Sequence, residues 1–128
     1  MTDVKKLNVD FIHNFIANSY WAKGRTINEV GTCIDNSLNF GIYENDKQIG
    51  YARVVTDFVA IAYLLDLFIS EEYRNKGYAK RLMDYIMNYQ QVKNVKVWRL
   101  ASRDAQELYK KYGFAPLKNT EKMMEKTN

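Results

Sequence analysis

Arg74-Asn75-Lys76-Gly77-Tyr78-Ala79 sets two cations and a glycine just ahead of a run whose apolar residues, Ala79, Leu82, Met83, Ile86 and Met87, recur at helical spacing. A helix start presents unpaired backbone N–H groups and the positive end of the helix dipole, so phosphate or another anion is well placed there. Gly77 lets the backbone approach such an anion, Arg74 could add a charge-assisted bond, and the small Ala79 would let the helix pack closely behind. The same segment also reads as an ordinary strand-to-helix turn with charged surface residues. It is not a common nucleotide loop, because neither G-x-x-x-x-G-K-S/T nor G-x-G-x-x-G occurs.

Other side chains with chemical potential lie upstream. Asp66 is the only charge between Val59 and Ile69, a run rich in Ile, Leu, Phe and Tyr that predicts a strand buried on both faces. Arg53 shares a predicted strand face with Ile49, Tyr51 and Val55; it could pair with Asp57 or Asp66, or reach into a cleft toward a substrate carboxylate. Tyr20-Trp21-Ala22-Lys23-Gly24-Arg25 gathers aromatics and cations around a glycine, although Trp21 could equally plug the core with Lys23 and Arg25 solvated. His13 falls on the polar side of its helix and reads as a surface residue, and Cys33 reads as a small buried one. With one cysteine and one histidine, the chain offers no internal disulfide, no cysteine metal cluster and none of the usual zinc constellations.

These residues need elements to hold them. Asp10 to Tyr20 predicts a helix with Phe11, Ile12, Phe15 and Ile16 on one side. Thr26 with Glu29 three residues on is a capping box, so a second helix starts at Ile27 and turns Val30 and Ile34 inward. Leu38, Phe40 and Ile42 alternate, Glu44 to Lys47 turns, and Ile49 to Val55 alternates again, a hairpin. After the helix that fades near Gln90, Val95 to Leu100 predicts a strand. Ser102 can cap a final helix over 103–112, with Ala105, Leu108, Tyr109 and Tyr112 on one face and Gly113 as its stop. Phe114 to Leu117 and Lys122 to Lys126 could add one or two strands, and Met1 to Asn8 a frayed tail or short edge strand.

Length and composition bound the rest. At 128 residues with 47% hydrophobic content, the chain should form one domain around one core. The charge of +4 is scattered among 15 acids rather than gathered into the stripe of a nucleic-acid binder. The polar start lacks the apolar run of a secretory signal or anchor, which points to a soluble protein of the reducing cytoplasm with neither nucleic acid nor membrane as partner.

The order apolar strand, R-x-x-G-x-A, amphipathic helix, then A-x-x-L-Y-x-K-Y-G-F from Ala105 to Phe114, resembles the general-control-type N-acetyltransferase (GNAT) superfamily. The matches run from about Leu64 to Phe114, and the two motifs together are far more specific than either alone. The resemblance implies an α/β fold, a mixed, mostly antiparallel central sheet flanked by helices, whose central strands splay to admit acyl-CoA. It implies acetyl transfer from acetyl-CoA to a primary amine of a small molecule or protein, with CoA as product. Arg74, Asn75, Lys76, Gly77, Tyr78 and Ala79 would hold the pyrophosphate, and the main chain of Leu67, Phe68 and Ile69 the pantetheine and thioester oxygen. Tyr109 matches the family's acid for the departing thiolate, and Tyr20, Trp21 and Arg25, with Arg53, are candidates for the acceptor pocket.

Ser102 stands where the family often has Asn, which would weaken or replace one side-chain contact to the pantetheine. The base stays open. Asp66 could accept the proton itself or through water, or could be the partner of Arg53; Asp57 and Glu29 are weaker candidates, and many relatives use an ordered water. Relatives often pair, so a homodimer is implied, and the family normally opens with a strand, which here would fall in the short polar leader Met1 to Asn8. The alternative function is a CoA-binding or CoA-sensing domain without catalysis.

Overall fold

In the computed structural model, residues 6–128 are described, and the chain enters its first helix from Lys6 without a strand. The edge strand considered for Met1 to Asn8 thus falls mostly outside the described residues. Helix α1 (Val9–Ala17) is capped by Asn8, whose side chain accepts from Phe11 N at 3.0 Å. It ends three residues before Tyr20 because Ser19 turns the chain: its hydroxyl donates to Ile16 O at 2.6 Å and accepts from Ala22 N at 3.2 Å. Helix α2 (Ile27–Asp35) starts at the predicted capping box, with both the Thr26 and Glu29 bonds made.

Strands β1 (Leu38–Glu44) and β2 (Lys47–Thr56) are joined by Asn45 and Asp46, both at positive φ (50° and 67°). That is the two-residue hairpin loop whose twist matches the strands it joins. Strand β3 (Ile61–Ile69) pairs antiparallel with β2, and β4 (Val97–Arg99) pairs parallel with β3, giving a four-stranded sheet in the order β1-β2-β3-β4. Helices α3 (Tyr78–Met87) and α4 (Gln106–Lys110) follow β3 and β4.

The sheet is covered on both sides. Ile12, Ile16, Val30 and Ile34 of α1 and α2 pack with Tyr51 and Phe68 on one face. On the other, Phe40, Ala52, Val54, Leu64 and Ile69 pack against Leu82, Met83 and Ile86 of α3. Strand β2, between its neighbours and under helices on both sides, is buried from Gln48 to Val54. No helix among the described residues is long and apolar enough to cross a membrane.

Four expectations are corrected. The core strand begins at Ile61 rather than Val59, because Asp57 Oδ1 accepts from Val59, Ala60 and Ile61 N at 2.8 to 3.1 Å and closes a turn there. It is not buried throughout, since Ile61 and Tyr63 are exposed. The last helix spans Gln106–Lys110 only; Ser102 Oγ accepts from Ala105 N at 3.0 Å and closes a turn ahead of it. After α4 the described chain has one short 3-10 turn, Thr120–Lys122, and no strand. Pro116 has no N–H to give a ladder, and the three-residue β4 offers little edge to pair with.

Candidate active site

A one-residue irregularity in β3 creates the centre of the site. Tyr51 faces Phe68 and Arg53 faces Leu65, so β3 carries one more residue than β2 between these pairs. Asp66 sits within this bulge at φ 54°, outside ordinary strand geometry. The extra residue moves the following side chains to the opposite faces. Leu64 belongs to the core under α3, whereas Phe68 belongs to the core under α1 and α2, where Phe15 stacks on it at 3.9 Å. Asp66 is thereby turned toward the α1–α2 side.

There it gathers the residues that the sequence left scattered. Arg53 Nε donates to Asp66 Oδ2 at 2.6 Å, Arg25 Nη1 to the same oxygen at 3.3 Å, and Trp21 Nε1 to Oδ1 at 2.8 Å. Of the alternatives open for Arg53, the structure makes the pairing with Asp66. Arg53 also donates to Ser37 Oγ at 3.3 Å. The other base candidates serve the backbone. Hydrogen bonds from Val59, Ile61 and Ala60 N hold the Asp57 carboxyl below the usual carboxylate range, and bonds from Thr26 do the same for Glu29.

Strands β3 and β4 pair only over Ile61 to Tyr63 and Val97 to Arg99. Beyond Tyr63 they part, and a cavity of about 510 Å³ lies between them, lined by Leu65, Asp66 and Leu67 on one side and Leu100, Ser102 and Tyr109 on the other. The side of the β3 main chain that faces away from β2 is left without a strand partner there. Phe68 and Ile69 are buried, so only their backbone can serve a ligand.

Tyr109 stands in this cavity, 7% exposed, and burial pushes its hydroxyl up to about 12. Its position is fixed by the end of α4. Gly113 adopts φ +91°, its N–H donates to Lys110 O at 3.1 Å, and Phe114 N donates to Tyr109 O at 3.3 Å. These are the two bonds of a Schellman helix stop, and the Phe114 ring meets the Tyr109 ring edge-on at 6.1 Å. The Tyr, Gly and Phe of the second motif are therefore one positioning device.

At the far end of β3, the loop from Arg74 to Gly77 enters α3. Asn75 and Gly77 both have positive φ, 62° and 84°, and no side chain caps the helix. Nothing lies within 4 Å of where a Cβ on Gly77 would point. The amides of the first turn, with no side-chain cap, are left for an anion, and Gly77 leaves room for one beside it. Arg74 turns back instead: its Nε donates to Ile69 O at 3.1 Å and its guanidinium lies 5.9 Å from the centre of the Phe15 ring, pinning the loop to β3. Lys76 Nζ lies 5.6 Å from the Tyr73 ring, and the Tyr78 hydroxyl bonds Glu44, so Tyr78 can serve an anion only through its main chain. Open amides over α3 joined to an unpaired β3 edge fit the phosphate and amide-rich arm of CoA.

Two contacts had no sequence signal. Arg103, in the loop after β4, lies 3.7 Å from the centre of the Tyr20 ring, across the mouth of the cavity. His13, read as a free surface residue, is half-buried and bonds Arg25 O through Nε2 at 3.0 Å, tying the Arg25 backbone to α1.

Residues 35–116 match the family profile described as an acetyltransferase (GNAT) domain. The chain is 30% identical over 91 residues to an uncharacterized N-acetyltransferase, ycf52-like, of Prochlorococcus marinus, a match covering 67% of this chain and 50% of the relative. It thus spans about half the length of that curated relative. Among solved structures, a protein of Xanthomonas campestris pv. campestris ascribed to the GNAT family is 36% identical, with a TM-score of 0.96 over 100% of this chain and 91% of that one. The fold is also shared with glucosamine-6-phosphate N-acetyltransferase of Arabidopsis thaliana, at 15% identity and a TM-score of 0.63 over 96% of this chain and 90% of that one.

Proposed function

Since this chain belongs to the GNAT acetyltransferase family, we propose that it is an acetyl-CoA-dependent enzyme acetylating a primary amine of a small molecule and releasing CoA. The observation that carries this reading is the succession of three features along β3: the buried Tyr109 in the cavity where β4 parts from it, its unpaired edge, and the uncapped start of α3 at Gly77 beyond its end. Bound acetyl-CoA supplies the acetyl group as a thioester.

The residues divide the work. Main-chain N–H groups at Gly77, Tyr78 and Ala79, with the charge of Lys76, hold the phosphates. The backbone of Leu67, Phe68 and Ile69 orients the pantetheine arm, and an N–H of this stretch is aimed at the thioester oxygen, where negative charge builds up. Ser102, its oxygen already accepting from Ala105 N, keeps its proton to donate to the pantetheine. The amine must attack uncharged, although an ordinary alkylamine has a pKa of about 10. Its nitrogen forms the new N–C bond and gives up one proton, the C–S bond breaks with its electron pair on sulfur, and CoA leaves as the thiolate, which takes a proton from solvent.

Tyr109 keeps its proton throughout the neutral range and donates a hydrogen bond to the departing sulfur. Asp66 acts as a positioning residue: its oxygens already accept from three donors, so the amine's proton passes to water at the mouth of the cleft, beside the half-exposed Tyr20. The single Cys33 suits a reducing cytoplasm, and a homodimer stays part of the proposal. The test is thiol release from acetyl-CoA with and without an amine panel. Amine-dependent release is the expected result; acetyl-CoA binding without release by any amine would favour a CoA sensor and overturn the enzyme.

A further inference from the structure

The acceptor side of the cleft carries an unmatched positive charge. Three arginines, Arg25, Arg53 and Arg103, line it against two aspartates, Asp66 and Asp104. Arg25 and Arg53 meet the same Asp66 oxygen, and one carboxylate cannot neutralise two guanidinium groups. In a half-buried site the surplus is costly until an anion joins it.

The three arginines are not equivalent. Arg53 is committed to Asp66 and Ser37, with its side chain 10% exposed. Arg103 is stacked on Tyr20 and makes no ion pair among the described residues. Arg25 uses Nη1 alone on Asp66, its side chain is 26% exposed, and its backbone is held by His13. It therefore has donors left over, a fixed origin and access to the cavity. Beside it, Trp21 is anchored by Asp66 through its indole N–H while 40% of the residue stays exposed, which leaves apolar surface next to the spare guanidinium edge.

The geometry points to an acceptor of the amino-acid class: a molecule with a primary amine and one carboxylate, the carboxylate bound by Arg25 and the side chain lying against Trp21 and Tyr20. This rests on the acetyltransferase reading of the cleft. A planar guanidinium edge suits a carboxylate, and a surplus of one charge is balanced by a monoanion. A phosphate dianion would leave a negative charge, and a polyamine would face three arginines.

The test sets α- and ω-amino acids, L-phenylalanine and β-alanine among them, each against its own amide, with phosphoethanolamine and spermidine alongside. Thiol release from acetyl-CoA is followed, and the thermal midpoint is read with the same compounds. The expected result is kcat/KM about tenfold or more higher for at least one acid than for its amide, although the amide has the less basic and more readily neutral amine. Arg25→Ala should remove that preference through KM for the acid, with the affinity for acetyl-CoA kept, and Arg25→Lys, which keeps the charge, should restore part of it. Equal or better use of amides, phosphoethanolamine or spermidine would overturn the inference while leaving the acetyltransferase standing. No thiol release, with a midpoint raised by an amino acid only when Arg25 is present, would keep the carboxylate site and overturn the acetyltransferase. Neither release nor shift would overturn both.

Discussion

Tyr109 and Asp66 share the cleft but differ in how far their surroundings have committed them. Tyr109 is buried with its proton kept, so it serves as a donor and not as a base. Tyr109→Phe should lower kcat about 10²-fold with little change in acetyl-CoA affinity, and both proteins should show the same pH profile up to about pH 10. An alkaline limb well below that pH, present in the wild type and gone in the variant, would contradict the protonated phenol. Asp66 holds two arginines and an indole. Asp66→Ala strands Arg53, 10% exposed, without its partner and should cost about 3 kcal/mol in denaturant unfolding; a neutral result would remove Asp66 from its structural role. Spacing made Tyr109 legible, because L-Y-x-K-Y-G-F fixes a tyrosine relative to a helix stop. The partners of Asp66 were open in the sequence, because a bulge changes which face a side chain takes without changing the composition of the strand. Arg103 on Tyr20 joins loops distant in sequence, and nothing local marks it.

Helix and strand ends carry much of what places the site. The capping box at Thr26, the hairpin at Asn45 and Asp46, and the start of α3 were readable because each is written in a few adjacent residues. The length of α4 and the absence of strands after it were not readable, since both depend on what lies alongside in space. Gly113→Ala tests the stop that aims Tyr109. No neighbour lies near its missing Cβ, so the cost is conformational, about 1 kcal/mol for an alanine held at φ +91°. The larger effect should be on kcat, because the Phe114 N–H and ring that fix Tyr109 follow from that turn; unchanged kcat would show that the stop does not aim the phenol. The Asp57 turn before β3 carries a pH signature. Three amides lower its pKa in the folded state, so its contribution to stability is present above the unfolded carboxylate value and is lost as pH falls through the folded one. Acid unfolding should therefore steepen below about pH 4, and Asp57→Asn should flatten that part of the curve; an identical acid limb in the variant would contradict the turn's role.

In the assembled chain the sheet lies between two apolar layers, α1 and α2 on one face and α3 on the other, and the cleft opens where β4 leaves β3. The motifs gave the C-terminal half of this arrangement, since the loop at Gly77 and the stop at Gly113 lie one after each of the two parting strands. The N-terminal half followed only in its order of elements, and what joins it to the cleft is the ion and hydrogen-bond cluster centred on Asp66. Both halves have meaning for function only if the cleft takes CoA. Calorimetric titration of acetyl-CoA into the wild type and into Gly77→Glu decides this, because that side chain would fill the open space before the α3 amides with bulk and like charge. We predict saturable binding by the wild type and a loss of about 10²-fold or more in a folded variant; a wild type that binds no acetyl-CoA, or a variant that binds it equally well, would contradict the assignment of the cleft.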